Sequence, residues 1–390
     1  MSSTQRRSLA ALIEHEMAGT WMLGLAAVSA IVWASLAPQS YSRIGNASVS
    51  IPSIPLPIIA NLRDLITNGL MVIFFLTIGL EIGRERRHGT LQKLTQALAP
   101  LVGALGGMAG AALVYEIICL AWGNAQSRQG WGIPMATDVA FTLGALTLVR
   151  RHSAPGLRTF LLTLAICDDI ATVIVLALVS HHTSSSAQLL AGVIGLGVSV
   201  VVIGASLRFR SRVLIMAATL ILWWSFAHLG IEPPLAGIVT GAALALHRAS
   251  TTAAENFERA IVPVSTWIVL PLFSLAALGV NVTSSIWRGA PVLLVAILAA
   301  RLIGKPVGVI SGATLSSRLG EAPALGDFPK LQLVGAAMLC AIGFTVPLIF
   351  AESIFGLGSG GYAASQISLV AASLLALVLG VWLIWAGRRR

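Results

Sequence analysis

Residues 160–178 read FLLTLAICDDIATVIVLAL. The stretch is apolar on both sides of two adjacent carboxylates, Asp168 and Asp169. With its flanks it is long enough to cross a bilayer, which takes about 20 apolar residues. On insertion scales an aspartate at the middle of such a helix costs about 2.5–3.5 kcal/mol. A chain that keeps two of them there has a use for them, because charge inside a membrane is functional by default.

The rest of the chain has the same character. Of its 390 residues, 56% are hydrophobic and only 10% charged. A soluble domain carries roughly 25% charge, so a water-soluble enzyme is excluded. Apolar runs between charged or Gly/Pro-rich breaks give twelve candidate spans, near 20–38, 65–82, 97–122, 131–149, 157–180, 186–207, 213–230, 233–247, 261–280, 289–312, 331–354 and 365–387. The eighth is short for a bilayer and is expected to be tilted or buried by its neighbours. The expected fold is an all-α polytopic membrane protein of about 12 transmembrane helices, one membrane-embedded domain over residues 1–390. Residues 1–19 form an N-terminal arm, and residues 39–63 the longest outer loop, whose Ser/Ile/Pro alternation suits a small hairpin that its prolines weaken.

The net charge of +10 sits mostly in short loops, so the positive-inside rule explains it and no nucleic-acid partner is needed. Twelve spans put both termini on the side that carries most of the Lys and Arg, with Arg43, Arg63, Arg128 and Arg288 on the other. Both termini are therefore expected in the cytoplasm. The three cysteines, Cys119, Cys167 and Cys340, fall in separate apolar stretches without ligand spacing and read as buried small residues.

Two further charges lie at mid-span: Asp138 in GWGIPMATDVAF (130–141) and Lys305 in ILAARLIGKPVGVI (297–310). A simple buried pair needs only one carboxylate. Three carboxylates against one lysine leave surplus negative charge, which suits a cation and exchangeable protons. A proton and a cation compete for the same carboxylate oxygens, and that competition is a minimal antiport mechanism. Arg301, four residues before Lys305 on the same helix face, either snorkels or lines a cavity. Gly and Pro mark the same depth: Pro134 precedes Thr137-Asp138 in the fourth span, and Gly343, Thr345 and Pro347 fall in the eleventh. Either segment alone reads equally well as a proline kink. Two interrupted spans, one in each half, point to a transport site, because freed backbone groups are tolerated in a membrane only where they line a cavity or face protein.

At these residues the chain resembles the NhaA-type sodium/proton antiporters of bacterial inner membranes. The matching stretches are NGLMVIFFLTIGLEIGRE (68–85), GIPMATDVAFTLGAL (132–146), FLLTLAICDDIATVIVLAL (160–178), LPLFSLAALGV (270–280), RLIGKPVGV (301–309) and CAIGFTVPLIF (340–350). The resemblance implies inverted repeats with interrupted, crossing fourth and eleventh helices. It implies electrogenic, pH-regulated export of Na+ and Li+ against more incoming H+, with no cofactor. By position, Asp168 and Asp169 correspond to the cation- and proton-binding carboxylates that hold Na+, and Thr137 contributes to the same site. Asp138 and Lys305 correspond to the charges that compensate the crossed helices, Lys305 also partnering Asp168. Glu81, Glu85 and Glu258 match a pH-sensing cluster, while Glu232 and the Glu258–Val262 stretch lack the histidines of the enteric pattern. The first outer loop would carry a homodimer contact.

Other readings differ in what they require. A transporter of the same architecture for potassium or an organic anion would not need both aspartates and the lysine. An intramembrane aspartyl protease would need two aspartates on facing helices to share a proton.

Overall fold

In the computed structural model the described residues are 3–49, 59–88, 94–149, 152–154, 156–179, 186–209, 211–246, 251–279, 291–318 and 328–388. Residues 50–58 of the expected outer loop lie outside them. The loop's described ends pair as an isolated antiparallel bridge between Ser48 and Asn61.

Among the described residues the chain is helical throughout. The elements are α1 (Ser3–Leu36), α2 (Pro38–Gly45), α3 (Leu62–Arg87), α4 (Leu94–Trp122), α5 (Ala125–Arg128, continued by a 3-10 turn Gln129–Gly132), α6 (Val139–Leu148), α7 (Leu157–Val179) and α8 (Ser186–Phe209). They continue with α9 (Arg212–Leu229), α10 (Ala236–Leu246), α11 (Asn256–Ala277), α12 (Pro291–Ser316), α13 (Lys330–Leu339), α14 (Thr345–Phe355) and α15 (Gly360–Ala386). Seven of these, α3, α4, α7, α8, α11, α12 and α15, are each long and apolar enough to cross a membrane. The pair α1 and α2, bent by 117°, makes an eighth if taken together. The shorter apolar helices α9 and α10 fall in the expected seventh and eighth spans, α13 and α14 in the eleventh, and α6 in the fourth. Residues 3–19 of the N-terminal arm are helical and continue into the first span as α1.

The described residues form two compact units. The first draws on Met1–Met22, Lys93–Ile174 and Val282–Arg390, the second on Leu23–Gln92 and Val175–Asn281. In the second unit α8 is built inside out. Its buried positions are Gly192, Gly195, Ser199 and Ser206, while Leu190, Val193, Ile194, Val200 and Val201 are exposed. In lipid the large apolar side chains need no burial, and small residues let helix backbones approach.

The first unit uses the same device where it matters most. On α4 and α12, Gly106 and Gly110 face Gly308 and Gly304. A methyl group added at Gly106 would run into the Gly308 carbonyl, and one at Gly110 into that of Gly304. This close contact fixes α12 beside α4 around a π turn, Ala300–Gly304, immediately before Lys305. Such turns of i→i+5 bonding are rare and frequently sit at functional sites.

Candidate ion-binding site

The first unit holds two interrupted spans. One runs from α5 and its 3-10 turn through residues 133–138 to α6; the other runs from α13 through residues 340–344 to α14. Pro134 and Gly343 lie within the breaks. Thr345 and Pro347 lie in the first turn of α14, where a proline's missing N–H breaks no helical bond.

Buried backbone groups released by a break must find partners. The two breaks supply them to each other. The Asp138 N–H donates to the Ile342 carbonyl at 2.8 Å, and the Thr137 hydroxyl to the Cys340 carbonyl at 2.8 Å. Thr142 Oγ1 donates to the Leu339 carbonyl at 3.1 Å, and the Gly343 N–H to Ser373 Oγ on α15 at 3.2 Å. At the N-terminus of α14, where helix amides leave partial positive charge, Thr345 Oγ1 donates to Asp138 Oδ2 at 3.3 Å.

Two cations from α12 enter this crossing. Lys305 Nζ donates to the Met135 carbonyl and to Asp168 Oδ2, the latter at 2.9 Å. Arg301 does neither of the things its sequence position suggested. It is fully buried and bridges the breaks, with Nη1 donating to the Ala341 carbonyl at 2.5 Å and Nη2 to that of Ala136 at 2.6 Å. Its guanidinium thus holds two carbonyls of the breaks while Lys305 holds a third, that of Met135. The nearest signal in the sequence was an arginine deep in an apolar span, which leaves its direction open.

Asp168 on α7 is fully buried. Its Oδ2 accepts from Lys305 and from the Thr137 N–H at 2.7 Å, while Oδ1 has no hydrogen-bond partner among the described residues. Asp169 follows it, 5% exposed. With Arg301 counted, three carboxylates face two cations rather than one.

Glu81, Glu85 and Glu258 belong to the second unit. Glu81 and Glu258 both contact Arg84: Glu258 in a direct ion pair and Glu81 at 3.4 Å, with the Arg84 side chain half exposed. Glu85 lies on the same helix, α3. Glu232 is buried ahead of the 3-10 turn Pro233–Leu235 that leads into α10.

Comparison with known proteins agrees with this architecture. The sequence matches the family described as Na+/H+ antiporter 1 over residues 10–384. Curated relatives named Na(+)/H(+) antiporter NhaA include one from Acidovorax sp. (strain JS42), 34% identical over 98% of this chain and 92% of its own length. Another, from Gluconobacter oxydans, is 36% identical over 83% of this chain and 80% of its own. The solved structure of the sodium proton antiporter MjNhaP1 from Methanocaldococcus jannaschii shares the fold, with a TM-score of 0.52 at 17% identity, covering 95% of this chain and 97% of that one. The chain belongs to the Na+/H+ antiporter 1 family.

Proposed function

We propose that the protein is a proton-driven, electrogenic secondary antiporter that exports Na+ and Li+ in exchange for H+, contributing to pH and sodium homeostasis. The observation that carries this reading is the environment of Asp168. One of its oxygens is held by Lys305 and the Thr137 amide, and the other has no hydrogen-bond partner among the described residues.

A carboxylate so placed can change partners. A proton, the Lys305 ammonium and a hard monovalent cation all compete for its oxygens. Occupation by a cation excludes the proton, and access that alternates between the two sides of the membrane converts that exclusion into exchange. Asp169 supplies the second carboxylate for Na+ or Li+, and two protons carried per cation would move net charge. Thr137 orients Asp168 through its amide. Asp138 offsets the amide ends of the broken helices, and Lys305 holds Asp168 while the site is empty of cation.

The same reading places the chain in a bacterial inner membrane with both termini in the cytoplasm, supported by the loop positions of its Lys and Arg. Glu81, Glu85 and Glu258 act in pH sensing, a role supported by the two carboxylates around a half-exposed Arg84. A homodimer would join through the loop of residues 39–63.

The test is proton movement in energised everted vesicles followed with a pH-sensitive dye, adding Na+, Li+ or K+ separately between about pH 6.5 and 9. Na+ and Li+ should collapse the gradient, and Asp168→Asn and Asp169→Asn should each abolish the response while still inserting. Normal sodium-dependent exchange by both variants would refute the assignment.

A further inference from the structure

We propose that the hydroxyl of Thr172 is an additional oxygen ligand for the transported cation; this rests on the antiport reading and deepens it.

Thr172 is fully buried, and its Oγ1 has no hydrogen-bond partner among the described residues. Threonines inside helices ordinarily donate back to the carbonyl one turn earlier. Others in this chain do so: Thr163 to Thr159 at 3.0 Å, Thr219 to Ile215 at 2.8 Å, Thr240 to Ala236 at 3.0 Å and Thr314 to Ile310 at 2.7 Å. For Thr172 the corresponding acceptor is the carbonyl of Asp168, and it is not taken. A buried hydroxyl left without a bond is unfavourable unless something else satisfies it.

Its place on α7 says what that is. At 100° per residue, Thr172 lies about 40° round the helix from Asp168 and about 60° from Asp169, one turn further along. It therefore stands on the face between the two carboxylates, beside an Asp168 whose Oδ1 is itself without a hydrogen-bond partner.

The chemistry fits. Among the described residues, no group of three His, Cys, Asp or Glu side chains gathers as a metal site. A hard cation bound by one or two carboxylates must complete its shell with neutral oxygens. A hydroxyl supplies one and does not titrate, so it strengthens cation binding without taking a proton in the exchange.

The experiment uses the purified full chain in proteoliposomes and reads proton movement against Na+ concentration for wild type, Thr172→Val and Thr172→Ser. Valine keeps the shape and removes the oxygen; serine keeps the oxygen. We expect Thr172→Val to raise the sodium concentration for half-maximal exchange about tenfold, equivalent to about 1.4 kcal/mol of cation binding. Thr172→Ser should stay close to wild type. In detergent, sodium should raise the melting temperature of wild type and Thr172→Ser relative to choline, and do so less for Thr172→Val. A wild-type half-maximal concentration in Thr172→Val overturns the inference and leaves antiport standing. An equal defect in Thr172→Ser also overturns it, since the hydroxyl would then not be the cause. A wild-type chain that moves no protons with Na+ or Li+ overturns the antiport reading itself.

Discussion

Gly343 offers a way to disturb the Arg301 bridge without touching a charge. A Cβ placed there would lie 2.7 Å from Arg301 Nη2, 2.9 Å from Nη1 and 2.7 Å from the Ala136 carbonyl oxygen. Ordinary contact begins at 3.4 Å, so the guanidinium must retreat by roughly 0.5–0.7 Å. Its bonds to the Ala341 and Ala136 carbonyls, now 2.5 and 2.6 Å, would then stretch towards the outer limit of hydrogen bonding, about 3.2 Å. Gly343 is not among the positive-φ glycines, so alanine there carries no backbone strain. The effect of Gly343→Ala should therefore be overpacking alone, about 1–3 kcal/mol of stability. Sodium-dependent exchange should fall in vesicles while insertion is retained. Thermal melting of the detergent-purified protein reads the stability. In an Arg301→Ala background the guanidinium clash is gone and only the Ala136 contact remains, so the two substitutions should couple by about 0.5–3 kcal/mol, the double variant losing less than the sum. A Gly343→Ala protein as stable and as active as wild type would refute the claim that the bridge needs this clearance, and strict additivity would refute the link to Arg301.

Lys305→Met leaves Asp168 buried without its cation. Breaking such a pair costs about 3–5 kcal/mol, whereas removing both partners is often close to neutral. Melting of Lys305→Met should show a large loss, and the double variant Lys305→Met/Asp168→Asn should recover most of it while remaining inactive. On α4, two glycines separated by one turn should behave oppositely. Gly106→Ala meets the Gly308 backbone and should destabilise by about 1–3 kcal/mol, while Gly103→Ala, whose nearest neighbours lie at 3.4–3.5 Å, should be neutral or slightly stabilising. Equal melting temperatures for the two variants would contradict the close approach of α4 and α12.

The membrane fold was legible because apolar length and misplaced charge are properties of single segments. FLLTLAICDDIATVIVLAL needs no partner to be read as a span with chemistry in it, whereas the Gly/Pro-marked segments at Pro134 and Gly343 stood out from simple kinks only because one falls in each half. What escaped was whatever depends on pairing. Arg301 bonds carbonyls 40 and 165 residues distant, and nothing near it in the chain says that two breaks will cross in front of it. The glycines of α4 and α12 carry a small-residue spacing, but the spacing does not name the helix each will meet. Thr172 looked like any helical threonine until its missing back-bond set it apart from Thr163 on the same helix.

The order of the two cations along α12 suits the proposed cycle. A guanidinium is planar, always charged and able to donate in two directions, so it can bridge the Ala136 and Ala341 carbonyls at once. Those carbonyls belong to the crossing itself and accept no cargo in the proposed cycle. An ammonium is a compact point charge without a fixed fork, which makes its hold on a carboxylate easier to give up. That weaker grip faces Asp168, the group that must exchange a lysine for a cation or a proton on every turnover. Reversing the two would fail at both places. An arginine at position 305 could clasp both oxygens of Asp168 in a bidentate pair and leave none for a cation. A lysine at position 301 would reach the crossing without the planar fork that now joins its two carbonyls.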